Sequence, residues 1–340
     1  MKTEKYQYID ELRLLACFGV IVLHVSGVNM PVLAFGGMPW QVTNLFNGFV
    51  RFSVPVFFMI SGVLHIARPV SIGKMYSKYI LKVFSAYVFW SILYALVKCV
   101  FIHRSLFLLP EVLLEGQYHL WYLPYLLGLY AVTPILQKAA DDRTLLKYII
   151  LVCFIRSVAV PLLSELPVIG VVLSELAKAV PLSFFSDSLL YYILGYWLGT
   201  EEFSEKRRRC ICIAGGGALV TSVFLTAWQS VRTAELAESF YSSGHVLIVL
   251  TAASVFVLLK YNSPLSSFRK RLQRIDYAPM LFGVYLIHDL FLKVFQLIGQ
   301  DYLERCPLIM IPLISVLIFM LSYCASLLLN RIPILNRYVV

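Results

Sequence analysis

Residues 13–24 read RLLACFGVIVLH, ten apolar or small residues closed by Arg13 at one end and His24 at the other. The apolar character extends over about 10–28, close to the roughly 20 residues that a helix needs to cross a bilayer. A guanidinium and an imidazole are costly in hydrocarbon unless each has a partner or a task. On a helix the two positions lie three turns plus roughly 20° apart, so they share a face and are separated by about 16 Å along the axis. Arg13 would stand near one end of the span and His24 well into the opposite half. The plainer alternative is that Arg13 snorkels to headgroups while His24 bonds a neighbouring helix.

Similar apolar stretches recur along the chain. Of its 340 residues 60% are hydrophobic and only 14% are charged, with a mean hydropathy of +0.79; soluble domains carry nearer a quarter charged residues. Segments of about ten residues with alternating hydropathy, the mark of a membrane β-barrel, are not found. The reading is an all-α polytopic membrane protein, a single domain over 1–340. About ten transmembrane helices are expected, at 10–28, 44–65, 79–99, 118–136, 146–163, 184–199, 211–229, 243–260, 279–298 and 307–329. PVIGVVLSELAKAVPL (167–182) reads as a short interfacial helix.

The net charge of +10 does not point to nucleic acid, because the basic residues sit in short clusters between apolar spans. One side would hold Lys2 and Lys5, then Arg68, Lys74, Lys78 and Lys82, then Lys138, Arg143 and Lys147. The same side continues with Lys206 to Arg209, with Lys260, Arg269, Lys270, Arg271 and Arg274, and with Arg331 and Arg337. The opposite loops hold little beyond Lys98, Arg104, Lys178, Arg232 and Arg305. The positive-inside rule then places both termini in the cytoplasm, and the first apolar segment reads as an uncleaved span. The seven cysteines are scattered. Cys210 and Cys212 are too close for a zinc pair, so neither a metal site nor a disulfide framework is expected.

Polar residues inside the spans carry the functional signal. In RFSVPVFFMISGVLH (51–65), Pro55 is expected to kink the helix and Ser61 and Gly62 to allow close packing, while Arg51 needs an anionic partner or a wet cavity. In YHLWYLPYLLGLYAVTP (118–134), an aromatic belt accounts for Trp121 and the tyrosines but not for His119. FGVYLIHDL (282–290) carries Tyr285, His288 and Asp289 in mid-helix, and Asp187 is a candidate carboxylate partner for a histidine or arginine. The stretch ARPVSIGKMYSKYILKVF (67–84) places Arg68, Lys74, Lys78 and Lys82 where they could hold phosphates, or serve only topology and lipid headgroups.

Taken together, YIDELRLLACFGVIVLH (8–24), VPVFFMISGVLH (54–65), KYILKVFSAYVFW (78–90), YHLWYLPYLLGLYAVTPIL (118–136) and FGVYLIH (282–288) resemble the signatures of the acyltransferase 3 family, in the family's order and over nearly the whole chain. The chain looks most like the compact ten-helix branch. The family often has arginines where Lys78 and Lys82 stand, so the charge is kept but bidentate phosphate binding is not.

The resemblance implies a multi-pass protein of the bacterial cytoplasmic membrane. It would move an acetyl or other short acyl group from cytoplasmic acyl-CoA, by default acetyl-CoA, to a hydroxyl of an extracytoplasmic or lipid-linked glycan. Donor phosphates would be held by Arg13, Arg68, Lys74, Lys78 and Lys82. A neutral histidine is the natural base for a hydroxyl attacking a thioester, which makes His24 the catalytic candidate alongside Arg13. Arg51, His119 and His288 are candidates for binding the acceptor or the tetrahedral oxyanion, with Trp121, Asp187 and Tyr285 added on the acceptor side. Direct transfer and an acyl-histidine intermediate both stay open. Membrane lipids are the other expected partners. The competing function is a transporter or exporter of a small solute or polysaccharide on the same fold.

Overall fold

A computed structural model describes residues 7–28, 30–68, 70–103, 105–164, 169–179, 182–262, 277–298 and 305–340. Among these residues there is no strand. The principal helices are α1 (Gln7–Gly27), α2 (Met38–Phe49), α3 (Ser53–Ile66), α4 (Leu81–Val97), α5 (Tyr122–Ala140), α6 (Arg143–Phe154), α7 (Asp187–Thr200), α8 (Glu205–Thr233), α9 (Val246–Tyr261), α10 (Met280–Ile298) and α11 (Pro307–Asn330). Helix is found at each of the ten expected places, as two helices in the second, though α1, α5 and α7 are not among the stretches long and apolar enough to cross a membrane. Ile169–Ala179 is helical too, as read for 167–182, while the basic run 269–274 lies outside the described residues.

Seven helical stretches among the described residues are long and apolar enough to cross a membrane: Met38–Ile66, Ile72–Phe101, Arg143–Ser164, Glu205–Thr233, Ser239–Tyr261, Met280–Leu297 and Pro307–Asn330. α1 falls outside this set, with Asp10, Glu11 and Arg13 in its first turns. α7 has only 14 residues, about 21 Å of helix against the roughly 30 Å of a hydrocarbon core. Tyr191, Tyr192 and Ile193 of α7 are fully buried, so α7 meets protein on these positions rather than lipid.

One sequence expectation is corrected in the second span. It is two helices, broken at 50–52, where the backbone closes a turn from Val50 N–H to the Asn47 carbonyl at 3.3 Å. Pro55 falls in the first turn of α3 and the break includes Arg51, whose carbonyl a proline four residues on cannot bond, so the proline interrupts the span by a break rather than a bend.

Small residues allow α3 and α7 to touch backbone to backbone. A Cβ built on Gly62 would lie 1.8 Å from the Tyr192 carbonyl oxygen, and one on Gly195 2.1 Å from that of Met59. Neither contact tolerates a side chain, so the approach is locked from both sides. α1 runs through the middle of the bundle and packs against α2, α3, α9, α10 and α11. Ile9, Leu12, Ala16 and Val20 of α1 belong to one buried cluster, and Cys17, Ile21, Val22 and Val25 to a second. The central helix thus carries Arg13 and His24, both partly buried, through the bundle.

Candidate functional site

At the Arg13 end of α1 lies a cavity of about 620 Å³, within the range of small-molecule sites. It is bounded by α1, α3, α5, α10 and the π-helical turn Met75–Ile80 that leads into α4. Arg13, Arg68, Lys78 and Lys82 line it against one acidic residue among the described ones, Asp10. Arg13 pairs with Asp10 at 3.3 Å. Lys82 donates to the Asn336 carbonyl at 3.2 Å. Lys74 is exposed and is not part of the lining.

The deeper wall is aromatic. His65 packs on Tyr79 and Tyr130 with ring centroids 4.8 and 4.5 Å away. Its Nδ1 lies 2.9 Å from the Ser61 carbonyl oxygen. A carbonyl only accepts, so the proton sits on Nδ1 and the other ring nitrogen of neutral His65 is an acceptor. The cavity ends at Phe57, Tyr122 and Tyr285. These three rings touch one another pairwise, at 6.0, 6.2 and 5.8 Å. They form a partition across the bundle.

Behind the partition lies a cluster of histidines, none of which lines the cavity. His24 stacks on His288 with centroids 5.3 Å apart and planes at 20°. His119 meets His288 edge-on at 5.2 Å, and Tyr118 meets His24 edge-on at 5.0 Å. The carboxylate of Asp289 closes the group. It accepts from the Tyr118 hydroxyl at 2.5 Å and from Gln117 Nε2 at 3.1 Å. It also lies 3.7 Å from His119 Nδ1 and 3.5 Å from Lys293 Nζ. His119, His288 and Asp289 are all buried.

Tyr285 bridges the two regions: it lines the cavity, and its hydroxyl donates to the His119 carbonyl. His288 Nδ1 lies 2.5 Å from the Tyr285 carbonyl, which fixes that proton on Nδ1 and leaves Nε2 as an acceptor. His288 Nε2 and both ring nitrogens of His119 are buried without a hydrogen-bond partner in the structure. Buried polar atoms are nearly always bonded, so these three mark where a polar ligand or water fits. The rings are not arranged as metal ligands: among the described residues no group of three His, Cys, Asp or Glu could hold a metal ion.

Other sequence candidates sit elsewhere. Arg51 has the anionic partner it required, Glu238 at 3.0 Å, and its guanidinium lies 4.6 Å from the centre of the Tyr241 ring. It also donates to Asn47 Oδ1 at 2.8 Å. Asn47 in turn donates to the Leu23 carbonyl at 3.2 Å and to the Ser26 hydroxyl at 3.0 Å. Arg51 thereby braces the turn of α1 that carries His24. Among the described residues Asp187 has serine partners and not the histidine or arginine that was expected. It accepts from the Ser243 hydroxyl and from the Ser188 N–H at 2.8 Å, which ties a loop to the start of α7. Asp289 is the residue in that role. Trp121 packs on Phe58 and Tyr125 at 6.3 and 5.4 Å, outside both the cavity and the cluster.

A cationic cavity and a histidine cluster thus lie on either side of the Phe57, Tyr122 and Tyr285 rings, and the acyltransferase domain model of the acyltransferase 3 family matches residues 6–331. The chain belongs to the acyltransferase 3 family. It is a membrane acyltransferase that transfers groups other than aminoacyl groups. No curated protein and no solved structure matches the acyltransferase, so the residue roles rest on the geometry above.

Proposed function

We propose that the protein is an O-acyltransferase of the bacterial cytoplasmic membrane that takes an acetyl or other short acyl group from cytoplasmic acyl-CoA. The acceptor is a hydroxyl on an extracytoplasmic or lipid-linked glycan. The carrying observation is that Tyr285 belongs both to the wall of the cationic cavity and to the histidine cluster. In this reading the donor's phosphates lie among Arg13, Arg68, Lys78 and Lys82, in the half facing the cytoplasm. The thioester end is directed at the Phe57, Tyr122 and Tyr285 partition. His24 takes the proton of the acceptor hydroxyl as its oxygen attacks the thioester carbon. When the tetrahedral intermediate collapses, the C–S bond breaks and the thiolate recovers the proton from His24. His119 and His288, with unsatisfied ring nitrogens, hold the acceptor's polar groups.

The test compares ester-linked acyl groups released by mild alkali from the envelope glycans of three strains: intact, deleted, and rescued with His24→Ala protein at matched abundance. The deletion is expected to lose one ester that His24→Ala does not restore. Full restoration by His24→Ala removes the base assignment. Identical esters in all three strains remove the glycan acceptor.

A further inference from the structure

The base candidate has an unusual support. In many histidine-dependent enzymes a carboxylate holds the imidazole by a direct hydrogen bond. Here the ring contacts of His24 among the described residues are His288 on its face and Tyr118 at its edge. Each ring is itself tied to α10. The Tyr118 hydroxyl is bonded to Asp289, and His288 Nδ1 is bonded to the Tyr285 carbonyl. Asp289 is 1% exposed and takes a second donor, Gln117 Nε2, so swinging it away would break both of these hydrogen bonds.

We propose that Tyr118 and Asp289 are positioning residues that clamp the His24 ring: Asp289 anchors the Tyr118 hydroxyl, and the anchored tyrosine ring together with His288 fixes the plane of the imidazole. This deepens the acyl-transfer reading and rests on it. The chemistry explains why a carboxylate stands at this depth. A charge-assisted bond to a phenol is short and directional, and a ring held at both ends leaves the imidazole little rotational freedom. A base must meet the acceptor proton at hydrogen-bond distance, and small misplacements are expensive in rate. Asp289 acts through Tyr118 and does not touch the reacting atoms.

The clamp separates the anchoring bond from the charge. Asp289→Asn keeps an oxygen that can accept from Tyr118, Asp289→Ala keeps none, and Tyr118→Phe keeps the ring but loses the hydroxyl. Native membrane vesicles carrying each full-length variant would be supplied with radiolabelled acetyl-CoA, and transfer into endogenous glycan followed at matched protein. Tyr118→Phe and Asp289→Ala should each lower the rate at saturating acetyl-CoA on the order of tenfold with KM for acetyl-CoA little changed, as expected when only orientation is lost. The double variant should be no worse than the poorer single one, and Asp289→Asn should recover most of the rate.

A second readout needs no activity. Carbethoxylation of His24 by diethyl pyrocarbonate, followed by peptide mass spectrometry, should be several-fold faster in Tyr118→Phe than in the parent protein. Tyr118→Phe removes one oxygen and is the substitution least prone to unfold the bundle. Additive losses, a raised KM with the rate kept, or an unchanged His24 modification rate each overturn the clamp. A parent protein that transfers no acetyl group overturns the acyl-transfer reading alone, and the modification rates still decide the clamp.

Discussion

The cavity at the Arg13 end and the cluster at the His24 end are built in opposite ways. The cavity is edged by long cations, and Arg68 and Lys78 among them are exposed. Such side chains adapt to a ligand and attract phosphates over a distance. The cluster is made of rings and a carboxylate that hold one another, with His119, His288 and Asp289 all at 2% exposure or less. Holding a large anionic donor tolerates movement, whereas proton transfer does not. Under the proposed acyl transfer, the difference between the regions corresponds to a division between capture and chemistry, with the Phe57, Tyr122 and Tyr285 rings as the border.

The sharpest way to break this division is His24→Ala. Transfer should fall by roughly 10²–10⁴-fold, the usual contribution of a general base, while acetyl-CoA binding measured by calorimetry on detergent-purified protein stays intact. A comparable loss of binding would mean the two regions are not separate. Next in size is Gly62→Val, whose side chain would collide with the Tyr192 carbonyl oxygen. Overpacking of this kind costs about 1–3 kcal/mol. Because α3 carries Phe57, Ser61 and His65 of the cavity wall, the melting temperature and both functions should fall together.

Arg13→Ala should show the reverse of His24→Ala. KM for acetyl-CoA should rise on the order of tenfold, equivalent to about 1.5 kcal/mol for a lost charge-assisted bond, and the change should shrink in high salt if long-range attraction contributes. A fall in kcat alone would place Arg13 with the chemistry. Lys74→Ala should have the smallest effect, within about twofold, since surface charges outside a site contribute little. A KM change as large as that of Arg13→Ala would extend the capture region beyond the cavity.

Much of this arrangement is legible in local sequence. Apolar runs of spanning length locate helices at all ten expected places, and the eleven-residue step from Arg13 to His24 puts both on the helix that threads the core. The partners are less legible. Asp187 and Asp289 look alike in sequence, each an acid next to a span or inside one. Only the packing of α10 beside the 117–119 turn makes Asp289 the carboxylate of the histidines. Tyr118 reads as an aromatic-belt residue because its position at a span boundary satisfies that simpler role. His65 draws no separate reading in the sequence, and nothing adjacent to it signals that its ring faces Tyr79 and Tyr130. The Pro55 expectation holds in place but not in kind: the span breaks at 50–52, around the Arg51 carbonyl that a proline four residues on cannot bond, instead of bending as one helix.

The sequence by itself determined the helical class, the membrane character, the family signatures and the shared face of Arg13 and His24. All of these follow from composition and from periodicity within a few turns of chain. Only the tertiary structure decided that Tyr118 meets Asp289 across 171 positions, that Tyr285 meets His119 across 166 and that Arg51 meets Glu238 across 187. Hydropathy records how deep a residue sits along its own helix but nothing of the direction of its neighbours. Those directions are set when glycines such as Gly62 and Gly195 let particular helices close on one another.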